Sequence, residues 1–375
     1  MRIAVDTRFL HSHHQPDLKE FTNEVFKRIT TKHSKHHFIF FNDNASIHAD
    51  GWPKNVETVT INPRPTNIFL YKWWYDVKLP LALKRYKADV FIATYGIGSL
   101  TTSTKQVLIV RDLAFLNKQS TSPRNSAGFF KRFTRSFTKR AKAVLTLSAF
   151  IKEELVTHYN INREAIHIIG SGAGVSFKSV DWDEKEFIKE QFAGGCEYFI
   201  FIQRVGTQLS FIKVLKAFSI FKKWQKTNMK LVIAGTFDAA FEKDLEKIAS
   251  YKYREDVFIK REPSETELAQ LVAASYALVF PSSYEGFAVP VLEALKCEVP
   301  VITYKNSSLS EIADGAALYV NSDQAEEIAE QMKRIFKDEL LRNELVKAAK
   351  DRAVLFSWDR TAALLWQSIE QVVSK

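Results

Sequence analysis

Short apolar runs alternate with longer amphipathic stretches in both halves of this chain, and that alternation restricts its fold more than any other feature. In the first half the runs are 3–5, 38–41, 59–61, 90–92, 107–110, 144–147 and 166–169. In the second half they are 198–202, 230–234, 257–259, 276–280, 299–302 and 318–320. Apolar runs of this length, bounded by polar segments, are strands buried on both faces, as in parallel sheets covered by helices. Each half therefore reads as a doubly wound α/β domain. With 375 residues there is room for two full cores. A break near Gly170-Ser-Gly-Ala-Gly174 and the polar stretch 179–186 separates them. We place one domain at 1–178, a second at 179–355 and a terminal helix at 356–375.

The most specific segment is Pro281-Ser-Ser-Tyr-Glu285-Gly-Phe-Ala-Val-Pro290-Val-Leu-Glu293-Ala-Leu-Lys. Lying between two strand-like runs, it reads as strand, loop and helix. Pro290 suits the first helical position, where a missing N–H costs nothing. The amides of Gly286, Phe287, Ala288 and Val289 then gather at a helix N-terminus on the sheet's C-terminal edge, an anion site. Glu285 in the loop and Glu293 in the first helical turn bracket it. Phosphate between two carboxylates suits a ligand with phosphates and hydroxyls, such as a nucleotide sugar. Glu293 would accept from ribose hydroxyls and Glu285 from sugar hydroxyls. Taken alone, acids near a helix N-terminus are also ordinary on dipole grounds.

This segment resembles the E-x7-E motif of the family-4 retaining glycosyltransferases. The similarity runs on through Pro300-Val-Ile-Thr, Ser307-Ser-Leu-Ser-Glu311, Ala316-Ala-Leu-Tyr-Val and Phe356-Ser-Trp358. Upstream it takes in Met1-Arg-Ile-Ala-Val-Asp-Thr-Arg-Phe and Leu145-Thr-Leu-Ser-Ala-Phe. The resemblance implies a GT-B fold: two Rossmann-like domains facing a central cleft, the C-terminal helix crossing back to the first. It implies an acceptor-side first domain and a second that binds the nucleotide sugar, with no metal and no other cofactor. The implied catalytic residues are Glu285, Arg204 and Asp112. The implied donor-binding residues are Arg204, Gly286, Phe287, Ala288, Val289 and Glu293. The implied activity is transfer from a nucleotide-diphosphate sugar to a glycan, lipid-linked or phosphorylated acceptor in polysaccharide biosynthesis.

The chain departs from the family pattern at several places. A Gly-Arg pair followed by a lysine clamps the diphosphate in the family; here Gln203 precedes Arg204 and Leu209 replaces the lysine. Lys213, one turn further on, is either a substitute cation or a solvated surface lysine. Where the family has His-Asp-Leu, this chain has Arg111-Asp112-Leu113. Arginine lacks the donor–acceptor capacity of neutral histidine, but it suits an anionic acceptor or the donor's phosphate; otherwise it is a surface arginine. The loop with His11, His13 and His14 lacks the family's glycines and reads as solvated rather than metal-binding. These departures motivate an alternative, a catalytically impaired GT-B protein serving as a subunit or scaffold.

Charge is uneven. Residues 1–180 hold 27 Lys+Arg against 13 Asp+Glu, and the remainder holds 26 against 30. Such a basic half suits an anionic membrane surface or a phosphorylated lipid-linked acceptor, or is simply a solvated face. No nucleic-acid-binding motif accompanies it, and no nucleic acid is expected. Residues 128–142 put Phe on one helical face and Lys/Arg on the rest; such a helix lies on an anionic bilayer or docks its Phe face on its own sheet, the commoner case. Tyr71-Lys-Trp-Trp-Tyr75 reads as core or as an interfacial anchor, with core favoured. Without a spanning apolar run or a signal-like start, and with Cys196 and Cys297 in no metal or redox spacing, we expect a cytoplasmic protein, peripheral at the inner membrane face.

Overall fold

A computed structural model describes residues 1–10, 16–44, 51–116, 124–204, 211–321 and 324–374. The chain divides into two compact units, Met1–Gly172 with Ser357–Lys375, and Ala173–Phe356. All thirteen apolar runs fall on strands.

The first unit holds β1 (Arg2–Asp6), β2 (His37–Asn42), β3 (Val56–Thr60), β4 (Val90–Ala93), β5 (Lys105–Val110), β6 (Ala143–Thr146) and β7 (Ile166–Ile168). They form one parallel sheet in the order β3-β2-β1-β4-β5-β6-β7, with Ile3 of β1 between Phe38 of β2 and Val90 of β4. Ile3, Ala4, Val5, Phe91 and Ile109 are fully buried, as a sheet covered on both faces requires. The terminal helix Trp358–Ser374 packs on the helix Pro16–Lys32 and on β5. Trp366 stacks on His33 at 3.6 Å. Gly172 lets Trp358 seat: a Cβ there would fall 2.6 Å from the indole. The basic helix Arg124–Arg140 docks its Phe face inward, with Phe129 and Phe137 buried and Phe130 stacked on Phe115 at 5.2 Å. The segment 71–75 divides: Trp74 and Tyr75 are core, whereas Trp73 is exposed.

The second unit holds β8 (Tyr198–Gln203), β9 (Lys230–Gly235), β10 (Val257–Arg261), β11 (Ala277–Phe280), β12 (Val301–Tyr304) and β13 (Ala317–Val320). Their order, β10-β9-β8-β11-β12-β13, repeats the first six strands of the other unit. Tyr198, Phe199, Phe201 and Phe211 fill its core. No helix among the described residues is long and apolar enough to cross a membrane.

Candidate active site

In the second unit the strand order reverses between β8 and β11, which pair side by side. Loops leaving their C-terminal ends therefore meet at the switch point, where open α/β sheets bind ligands. Arg204 follows β8 directly, and residues 281–288 lead from β11 into the helix Val289–Lys296. Arg204 Nη2 donates to both carboxylate oxygens of Glu293, each at 2.6 Å. The Glu293 side chain is 2% exposed and that of Arg204 16%. A carboxylate so buried needs its cation. Arg204 is held in place by the end of β8, where Gly235 (φ +140) lets the strands close: a Cβ there would lie 1.9 Å from the Gln203 carbonyl.

The helix starts at Val289, so Pro290 is its second residue and Glu293 its fifth, just past the first turn. Both lie one step later in the helix than the sequence suggests, because Ala288 (φ −76, ψ 73) makes an inverse γ-turn. In that turn the Val289 N–H donates to the Phe287 carbonyl at 2.8 Å, which removes Val289 from the expected cradle of four amides. Ala288 has no capping side chain. Among the described residues, the amides of Phe287 and Ala288 donate to no other group. Both residues are buried, and amides in such positions are nearly always paired. An anion at this helix end would pair them. Gly286 is buried beside them.

Three serines bond Glu285 and an asparagine bonds its loop; Ser282 comes from that loop, and Asn306, Ser307 and Ser308 from the start of the helix Ser307–Ala313. Ser282 Oγ donates to its Oε1 at 2.7 Å. Its N–H donates to Ser307 Oγ at 3.2 Å, and its carbonyl accepts from Ser308 Oγ at 2.9 Å. Asn306 Nδ2 donates to the Ser283 carbonyl at 3.1 Å. Ser307, the first residue of that helix, takes the left-handed φ of +48, backbone strain of the kind that persists where surrounding contacts over-determine a residue. The polar run at 306–308, the N-cap and first two residues of that helix, is the sequence signal for this lock.

The remaining candidate residues lie elsewhere or outside the described residues. Leu209 and the histidines His11, His13 and His14 belong to the latter group. Lys213 is the third residue of the helix Phe211–Trp224 and is half-buried. Arg111 and Asp112 belong to the first unit, where they follow β5. Asp112 is exposed, and its Oδ1 accepts the Ala114 N–H at 2.9 Å, a local turn contact. Arg111 lies with its guanidinium carbon 5.0 Å over the Phe21 ring, and its buried Nη1 has no hydrogen-bond partner among the described residues. Burial pulls its pKa below the ordinary arginine value, while Asp17, Asp112 and Glu20 partly restore it. Among the described residues, no group of three or more His, Cys, Asp or Glu is arranged to hold a metal.

Comparison with known proteins agrees with the fold. Residues 183–352 match the family described as glycosyl transferases group 1, and residues 8–176 match glycosyltransferase family 4. The O-antigen chain mannosyltransferase RfbU of Salmonella typhimurium is 25% identical over 295 residues, 74% of this chain and 76% of the relative. The serotype-specific mannosyltransferase WbdA of Escherichia coli is 24% identical over 277 residues, 72% of this chain but 34% of that longer protein. In fold the chain is similar to Anabaena Alr3699/HepE, crystallised with UDP and glucose, with a TM-score of 0.75 at 14% identity over 99% of this chain and 100% of that one.

Proposed function

From the premise that this chain belongs to the family-4 retaining glycosyltransferases, we propose that the β8–β11 switch point seats a nucleotide-diphosphate sugar. The observation that carries the reading is the Arg204–Glu293 pair beside the amides of Phe287 and Ala288. Guanidinium and amides suit a diphosphate; a buried carboxylate suits a ribose diol. On binding, ribose hydroxyls would donate to Glu293 and the diphosphate would accept from Arg204, so each partner of the pair exchanges part of its contact for the ligand. Glu285, held by Ser282, Ser307 and Ser308, would orient the sugar. The donor's own phosphate oxygen takes the acceptor proton on the face from which the diphosphate departs. Arg204 and the amides stabilise the charge that the leaving group gains. The reading assigns no metal or other cofactor to this step.

RfbU is an O-antigen chain mannosyltransferase and WbdA a serotype-specific mannosyltransferase, which supports a glycan or lipid-linked acceptor in polysaccharide assembly. HepE was crystallised with UDP and with UDP-glucose, which supports a nucleotide-sugar donor. On the acceptor side the reading rests on Arg111, whose Nη1, without a hydrogen-bond partner among the described residues, suits an anionic group. It places the protein at an anionic membrane surface, in keeping with the basic first half. The test is hydrolysis or transfer from a panel of nucleotide sugars, with and without acceptors, alongside thermal shifts with free nucleotides. One nucleotide series should raise the melting temperature and support turnover, because a ligand that binds the folded state stabilises it. Nucleotide binding with no turnover on any donor would favour the scaffold alternative.

A further inference from the structure

The helical run between β3 and β4 has two dissimilar faces. It is α-helical over Ile68–Trp73, π-helical over Trp74–Lys78 and α-helical over Leu79–Arg85. Trp74, Tyr75, Leu79 and Leu83 are buried in the first unit. Phe69, Trp73, Val77 and Leu81 are 85%, 37%, 43% and 62% exposed. They recur every fourth residue, a spacing that drifts by about 40° per step along a regular α-helix. The π segment closes its bonds one residue later and winds more slowly, taking back part of that drift. The four side chains therefore form an aligned apolar row, which isolated surface residues would not.

The charges beside this row share one sign. Lys78 Nζ lies 4.8 Å over the Trp73 ring, and Lys84 and Arg85 are exposed. Asp76, the run's sole acid, is engaged by the Leu100 N–H at 2.7 Å and by Lys72 at 3.3 Å. The helix Arg124–Arg140 touches the run, with Lys72 Nζ 4.8 Å over Phe133. It has no acid and exposes Lys131, Arg132, Arg135 and Lys139. In the second unit, by contrast, the exposed Trp182 and Phe187 sit among Asp183, Glu184 and Glu186. Aromatic and aliphatic side chains beside lysines and arginines fit the boundary of an anionic bilayer, where cations meet headgroups and rings sit at the interface.

We infer that Phe69, Trp73, Val77 and Leu81 are the membrane-inserting edge of the first unit, with an anionic phospholipid bilayer as its partner. This rests on the membrane reading above and narrows it to one row of side chains. The test is sedimentation of the full chain with phosphatidylcholine vesicles, with and without phosphatidylglycerol, at low and high salt. Wild type should bind the anionic vesicles and weaken with salt. Phe69→Ser with Leu81→Ser should lower the partition coefficient about tenfold or more without changing the melting temperature, whereas Phe187→Ser should change nothing. Equal binding of the double variant and wild type, or equal binding to neutral and anionic vesicles, overturns the inference. So does a wild type that ignores vesicles but forms a dimer that the double variant cannot form. Nucleotide calorimetry on the same proteins separates the two claims. Vesicle binding without nucleotide binding sinks the donor site and leaves the edge; nucleotide binding without vesicle binding sinks the edge alone.

Discussion

Both units thread their first six strands in the same order, and each places an arginine–carboxylate pair where that order reverses. In the first unit, Arg8 and Asp6 at the end of β1 have side chains 1% and 0% exposed. Arg8 Nε donates to Asp6 at 3.0 Å, and the Tyr75 hydroxyl donates to the same carboxylate at 2.6 Å. The rings of Phe9, Tyr71, Trp74 and Tyr75 surround the guanidinium at 4.4 to 5.4 Å. Burial opposes the charge on Arg8, but Asp6 and Tyr75 outweigh it and raise its pKa. In the second unit, Arg204 keeps 16% exposure, and among the described residues the amides of Phe287 and Ala288, at the start of the Glu293 helix, are unpaired. The topology supplies a place at each switch point, and the side chains around it decide its use. Aromatic rings seal the first pair into a structural plug, while the second keeps part of its guanidinium exposed where the proposed ligand would bind.

The largest expected effect separates these two uses. Arg8→Ala leaves Asp6 buried without its cation, which should cost about 3–5 kcal/mol. Thermal unfolding should show the loss, while nucleotide affinity of the remaining folded protein should hold. Lost affinity at an unchanged melting temperature would reverse the roles given to the two pairs. If Leu209 stands where the family resemblance implies a phosphate-clamping lysine, Leu209→Lys would add a charge-assisted bond to the departing diphosphate, worth about 1.5–3 kcal/mol. Donor hydrolysis should then rise by roughly ten- to a hundredfold. No gain would mean that the cation is already supplied, and Lys213→Ala should then remove activity.

Gly235→Ala should strain the end of β8, since its φ of +140 and the Gln203 carbonyl both oppose a side chain. The cost should be about 1–3 kcal/mol, with weaker nucleotide binding through Arg204. In the first unit Gly128→Ala meets nothing within 4 Å and should be neutral or slightly stabilising in its helix, both read by melting temperature. The smallest effect expected at the site is that of Ser282→Ala, which removes one hydrogen bond to Glu285, a net of about 0.5–1.5 kcal/mol. It should lower kcat and leave free-nucleotide affinity unchanged; an equal loss of both would place Glu285 at the nucleotide instead.

The strands were readable because parallel strands buried on both faces leave continuous apolar runs. Glu285 and Glu293 were readable from the strand–loop–helix pattern around them. The pairing of Glu293 with Arg204 was not, since it joins residues 89 positions apart and depends on tertiary packing. The inverse γ-turn that takes Val289 out of the amide cradle leaves no mark in residue type. Arg8 also escaped notice, because nothing near it in sequence announces Tyr75, 67 positions away. The apolar row at Phe69–Leu81 was hidden by the π segment, which disturbs the 3.6-residue period used to assign helix faces.

Calorimetric titration of a free nucleoside diphosphate into wild type, Glu293→Ala and Glu285→Ala tests the central claim most directly. If the Arg204–Glu293 pair is the nucleotide seat and Glu285 belongs to the sugar, Glu293→Ala should weaken binding by about ten- to a hundredfold, the worth of a hydrogen bond to a charged group. Glu285→Ala should bind as wild type does. Equal losses in the two variants would contradict that division, and a wild type that binds no nucleotide would contradict the site itself.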